Sequence, residues 1–154
     1  MIRRSDIRSR SASHRRSRGQ ALVEFAFVAP IFFLLLFSLI DFGRYVYYVQ
    51  ILNNAAREGT RYAIVHGSNS FQPTGPNPND ATITAVVRNY AVGVIGNSAV
   101  LNITSTWGTP PNPATNNRGS KVKVAVTYSF SSLIPIVPIP PITINGESTL
   151  VINN

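Results

Sequence analysis

The chain has no cysteine, one tryptophan, two histidines and six acidic side chains in 154 residues. Without cysteine it can form no disulfide, no thiolate nucleophile and no cysteine-bound metal, so a small domain outside the cytoplasm must be held by packing alone. His66 is the only histidine beyond the N-terminal leader, which excludes a His-based metal cluster there. Asp80 and Glu147, the acids that follow the first helical region, are far apart and stand in no motif. No glycine-rich phosphate loop occurs. Neither an enzyme nor a cofactor or small-molecule substrate is expected. Charged residues make up 13% of the chain, about half the usual share, which suits a polypeptide partly out of water.

What the chain does have is a near-continuous apolar run from Gly19 to Tyr45. As a helix, Ala21 to Ile40 would span about 30 Å, one bilayer crossing. A soluble buried helix is the competing reading, but Phe27 to Phe37 is apolar all round and has no polar face. A cleaved secretory signal fits poorly, because Ser38 to Phe42 offers no small-residue cleavage site. Pro30 removes one backbone hydrogen bond, a kink that membrane helices tolerate without ending. Glu24 is the one charge between Gly19 and Ile40. A carboxylate at the bilayer centre costs roughly 2.5–3.5 kcal/mol and less near an interface. Two readings stand for it: a paired functional group, or a carboxylate at headgroup level that favours the helix N-terminus.

The net charge of +8 is uneven. Seven arginines against Asp6 precede Gly19, so six of the eight net charges lie in a leader also rich in serine. Such composition predicts disorder over residues 1–19. Arginine clusters also bind nucleic acid, but this one has no aromatic residue to stack on bases and abuts the apolar run. It reads instead as a cytoplasmic anchor that sets orientation by the positive-inside rule, with no nucleic-acid partner. The N-terminus is expected inside and the remainder outside a single-pass membrane segment.

Beyond the span, Tyr45, Val49, Leu52, Ala56, Gly59 and Ala63 keep helical spacing, so one helix is predicted over residues 20–66, half anchor and half spine. Ala55, Gly59 and Ala63 recur every four residues, a stripe that admits close packing or arises by chance. Asp41, Arg44, Arg57, Glu58 and Arg61 form a polar cuff, either a solvated face or a packing surface. Residues 67–80 read as a loop, and Asp80 as the cap of a short helix with Ile83, Val86, Val87, Tyr90, Ala91 and Val94 on one face. Val100 to Trp107, Lys121 to Phe130 and Ile142 to Ile152 read as strands, with Val122, Val124, Val126 and Tyr128 on one side of the second. Gly108 to Gly119 is turn-rich. Asn145-Gly146 signals a tight hairpin or a bulge. Leu133 to Pro141 holds four prolines and is an extended linker or a membrane-proximal contact. The expected fold is α+β: residues 1–19 a leader, 20–66 membrane helix and spine, 67–154 a small head with one short helix and a three-stranded antiparallel sheet.

Residues 18–63, RGQALVEFAFVAPIFFLLLFSLIDFGRYVYYVQILNNAAREGTRYA, resemble the TadE-like family, pilin-related proteins of tight-adherence (Flp, type IVc) pili. Gly19, Glu24-Phe25, Pro30, Asp41 to Arg44 and Ala55 to Tyr62 carry the resemblance. It implies cutting by a prepilin peptidase between Gly19 and Gln20, in a context that includes Phe25, so that Glu24 becomes the fifth residue of the mature chain. Glu24 would then pair with a freed terminal amine and set the register between subunits. The implied setting is the bacterial inner membrane, with membrane lipid, the peptidase and other pilin and pilus-assembly subunits as partners, and an extracellular pilus as the destination. The resemblance does not separate TadE-like from related TadF- or TadG-like pilus components, although the short chain without a large extra domain argues against the last. A different class, a membrane-anchored adhesion or binding module that never polymerises, fits the same residues.

Overall fold

The structure, a computed structural model, describes residues 13–96, 100–108, 114–133 and 140–153. Five elements follow in order: α1 (Ser13–Val65), α2 (Ala81–Ile95), β1 (Leu101–Trp107), β2 (Lys121–Phe130) and β3 (Ile142–Val151). A long apolar helix, a short helix and a three-stranded antiparallel sheet make this an α+β fold. The chain divides into two compact units, Met1–Asp41 and Phe42–Asn154, and the division falls inside α1.

In the first unit, α1 begins at Ser13 rather than at Gln20. The end of the basic leader is therefore helical, contrary to the disorder its composition predicts; residues 1–12 lie outside the described residues. Arginine is a good helix former, and extending an existing helix needs no new nucleus. The helix runs through Pro30 without ending. From Ala21 to Ile40 every side chain is exposed except the half-buried Ala29. An 18-residue window of this helix reaches a mean hydropathy of 2.5 with none of its residues buried. One N-terminal helix this long and apolar suggests a single-pass membrane anchor. Ser38, with Glu24 one of two polar side chains between Ala21 and Ile40, donates its hydroxyl to the Leu34 carbonyl at 2.8 Å, which satisfies it within its own helix.

The second unit is a sheet with two helices on one face. β2 lies between β1 and β3, paired antiparallel with both, from Leu101↔Tyr128 to Trp107↔Val122 and from Phe130↔Ile142 to Lys121↔Val151. Strict alternation along β1 and most of β2 sends Ile103, Trp107, Val122, Val124 and Val126 inward. The opposite face carries Thr104, Thr106, Lys123, Thr127, Asn145 and Glu147, which meet solvent. Leu52, Ala55, Ala56 and Ala63 of α1 and Ile83, Val87 and Ala91 of α2 complete the core, each fully buried. Burial of one large apolar side chain contributes about 1.5–3 kcal/mol.

Asn145-Gly146 makes neither a hairpin nor a bulge: β3 pairs with β2 without interruption, Gly146 opposite Val126. The glycine is there for room. A Cβ at Gly146 would fall 2.6 Å from the Leu52 carbonyl oxygen and the Asn53 nitrogen, because the α1 backbone lies directly on β3. Thr60 reaches from the same helix toward the Ser148 carbonyl at 3.4 Å, and Asn153 donates its N–H to the Ile64 carbonyl at 3.2 Å. The α1–β3 junction is thus tied along its length.

α2 starts as its sequence predicts. One Asp80 carboxylate oxygen accepts the N–H groups of Thr82 and Ile83 at 2.9 and 3.2 Å, and the other accepts that of Gly75 at 3.0 Å. Two orphan helix donors are satisfied by one side chain. Gly75 sits at φ 75, and a Cβ there would collide with the Trp107 indole, whose Nε1 donates to the Asn77 carbonyl at 3.1 Å. Residues 109–113 of the Gly108 to Gly119 loop, residues 134–139 of the proline-rich segment and the Val94 side chain lie outside the described residues.

Candidate functional site

The sequence-selected residues fall into two groups. Gly19, Gln20, Glu24, Phe25 and Pro30 belong to the first unit, where all five are exposed on α1. Gly19 has open space where a Cβ would stand. Gln20 and Glu24 are four residues apart in a helix, which places them on one face about one turn apart. An amine created at Gln20 would therefore lie within reach of the Glu24 carboxylate of its own chain. Phe25 and Phe27 are 67% and 74% exposed, part of an exposed apolar surface of a kind that monomeric soluble proteins rarely display.

Ala55, Gly59 and Ala63 belong to the second unit, and all three are buried. At Gly59 a Cβ would strike the Val87 side chain and lie 3.4 Å from Val124. The missing side chain lets α2 and the sheet close on α1. The polar cuff divides: Asp41 is buried, Arg44 and Glu58 are half-buried, and Arg57 and Arg61 are exposed. Arg44 holds its guanidinium over two rings, 5.2 Å from the Phe130 centroid and 5.7 Å from that of Tyr48.

Those rings belong to a cluster that residue spacing does not reveal. Tyr45 meets Phe130 edge-on at 5.9 Å, and Tyr48 meets Tyr128 and Phe130 edge-on at 5.6 and 5.8 Å. This aromatic collar joins the start of α1 in the second unit to the end of β2. The run Tyr45-Val46-Tyr47-Tyr48 is the signal in the sequence. Its partners eighty residues on become visible only once β2 lies against α1.

Two acids outside the span have structural partners. Asp80 caps α2, and Glu147 meets Lys123 at 2.7 Å on the open face of the sheet. His66 stacks on Tyr62 at 4.0 Å, with its Nδ1 2.9 Å from the Tyr62 carbonyl. Among the described residues no group of three or more His, Cys, Asp or Glu side chains is placed to hold a metal ion. An open groove of about 450 Å³ lies beside Pro76, Pro78, Trp107 and Lys121, with mostly apolar walls and no acid among its lining residues.

A family model described as TadE-like protein matches residues 19–61, the stretch that holds all eight site residues except Ala63. No curated protein and no solved structure matches the chain. The matched segment suggests a protein associated with a tight-adherence pilus, in contact with other components of that pilus.

Proposed function

We propose that this chain, whose residues 19–61 are TadE-like, is a membrane-anchored minor pilin or pseudopilin that takes part in assembling a tight-adherence pilus for surface attachment. The observation that carries the reading is the family match over residues 19–61, which take in the exposed apolar stretch from Ala21 to Ile40 with its one acid, Glu24. A prepilin peptidase on the cytoplasmic side cuts between Gly19 and Gln20. Because α1 already includes this bond, the peptidase must unwind it locally, and glycine, about 1 kcal/mol poorer than alanine in a helix, marks the easiest place.

After cleavage the Gln20 amine and the Glu24 carboxylate, of one chain or of neighbours, neutralise one another among packed apolar helices. Such a pair aligns subunits more than it adds net stability, since desolvation offsets most of its attraction. The folded second unit is carried outward and makes contact with other subunits without catalysing a reaction.

Intact-mass measurement of the protein purified from its native membrane tests the processing step. A chain beginning at Gln20 is expected; one beginning at Met1 rejects it. Co-purification with pilus fibres separates an assembly component from a module that stays in the membrane. Glu24→Gln is expected to leave the protein inserted but to reduce its incorporation at least tenfold, whereas unchanged incorporation would show that the carboxylate has no role in register.

A further inference from the structure

We propose that the groove beside Trp107 binds an acidic polysaccharide, with Lys121 and Lys123 holding carboxylates of neighbouring sugars and Pro76 and Pro78 receiving the apolar faces of the rings. The inference goes beyond the pilus reading and depends on neither processing nor membrane anchorage, since every residue lining the groove belongs to the second unit.

The floor of the groove crosses strands instead of following an edge. Thr106, Lys123 and Thr149 line it and are register partners across β1, β2 and β3, a row of two inter-strand spacings, about 10 Å. Backbone groups of β2 already pair on both sides, so the floor offers side chains alone. An extended peptide binds a sheet through the free backbone groups of an edge and finds none here. A sugar brings its own hydroxyls to the threonines. The Thr106 hydroxyl makes a long contact, 3.4 Å to the Lys123 carbonyl, which it can exchange for a shorter one.

The walls are built before any ligand arrives. Nε1 of Trp107 donates to the Asn77 carbonyl at 3.1 Å, and Nδ2 of Asn116 donates to the Thr74 carbonyl at 3.0 Å. These bonds fix the loop that carries Pro76 and Pro78, so little ordering is left to oppose binding. The volume of about 450 Å³ lies within the range of about 300–1,000 Å³ usual for small ligands, enough for a short stretch of a longer chain.

Charge decides which sugar. Lys121 and Lys123 lie two residues apart on one face of β2, their Cα atoms about 7 Å from each other. Gly108, which donates its N–H to the Lys121 carbonyl at 2.8 Å, and Val151, its register partner, bring no counter-charge. Lys123 meets Glu147 at 2.7 Å, but both side chains are about half exposed, and a pair so open to water is readily exchanged. From Phe42 to Asn154 seven basic side chains stand against three acidic ones, so the unit as a whole attracts an anion.

Trp107 is the only tryptophan in the chain and lines the groove. Its emission therefore reports binding there, whereas the arginines of the leader, which hold any polyanion, leave it unchanged. The full chain in non-ionic detergent is titrated with oligogalacturonate, with its methyl ester, and with oligoglutamate of equal charge. A saturable change is expected with oligogalacturonate, and binding about tenfold weaker for the other two. Lys121→Gln should weaken oligogalacturonate about tenfold, while Arg88→Gln, an exposed cation of α2, should leave it within about twofold. Equal binding of the ester overturns the proposal, because charge would then play no part. Equal binding of oligoglutamate overturns it in favour of an acidic peptide. A loss in Arg88→Gln as large as that in Lys121→Gln also overturns it, as the attraction would be diffuse. Calorimetry on the same samples covers a silent indole: binding heat kept in Arg88→Gln and reduced in Lys121→Gln is expected, and equal heat in both overturns the proposal.

Discussion

A methyl group at position 146 would meet the Leu52 carbonyl oxygen at 2.6 Å, and no side-chain rotation can relieve a clash between two backbones. Gly146→Ala should therefore cost about 1–3 kcal/mol, read from denaturant unfolding of the second unit within the detergent-solubilised chain. Gly43, with nothing within 4 Å of its missing Cβ, is the opposite case: Gly43→Ala should leave stability unchanged or raise it by up to about 1 kcal/mol. Asp80→Ala removes a cap from α2 and a partner from Gly75, and should cost about 1–2 kcal/mol. Asp80 was legible because its acceptor chemistry acts within three residues. Gly146 was not, because Asn-Gly is a strong local hairpin signal and the reason for the glycine is a helix more than ninety residues away in sequence.

Among the elements, β2 was legible residue by residue: its β-branched alternation fixes which side chains face inward, whatever covers them. The start of α1 was not. Composition weighs a segment alone, whereas Ser13 to Gly19 inherits a nucleus from the span that follows and costs little to add. The small-residue stripe could be recognised by spacing, yet spacing is equally served by a chance face; the approach of Val87 to Gly59 decides for packing. Leu52 sits fully buried where α1 crosses the sheet. Leu52→Ala should destabilise the second unit by about 2–5 kcal/mol, while Arg57→Ala, on the exposed side of the same helix, should change it by less than about 0.5 kcal/mol.

For the molecule as a whole, the second unit takes its core from both ends of its sequence, and residues 67–154 alone would lose Leu52, Ala55, Ala56 and Ala63 from the face of the sheet. That fragment should aggregate or give a collapsed NMR spectrum; a well-dispersed one would show that the C-terminal half of α1 is not required. Sequence by itself determined the apolar helix, the isolated Glu24, the charge asymmetry, the α+β order and the strand faces, because each follows from periodicity or composition within a short window. Only tertiary structure decided that Gly146 is a contact point, that α1 serves two units, and that Tyr45 and Tyr48 meet Tyr128 and Phe130. Those depend on which surfaces touch after folding, and van der Waals contact between residues eighty apart leaves no periodic trace in the chain.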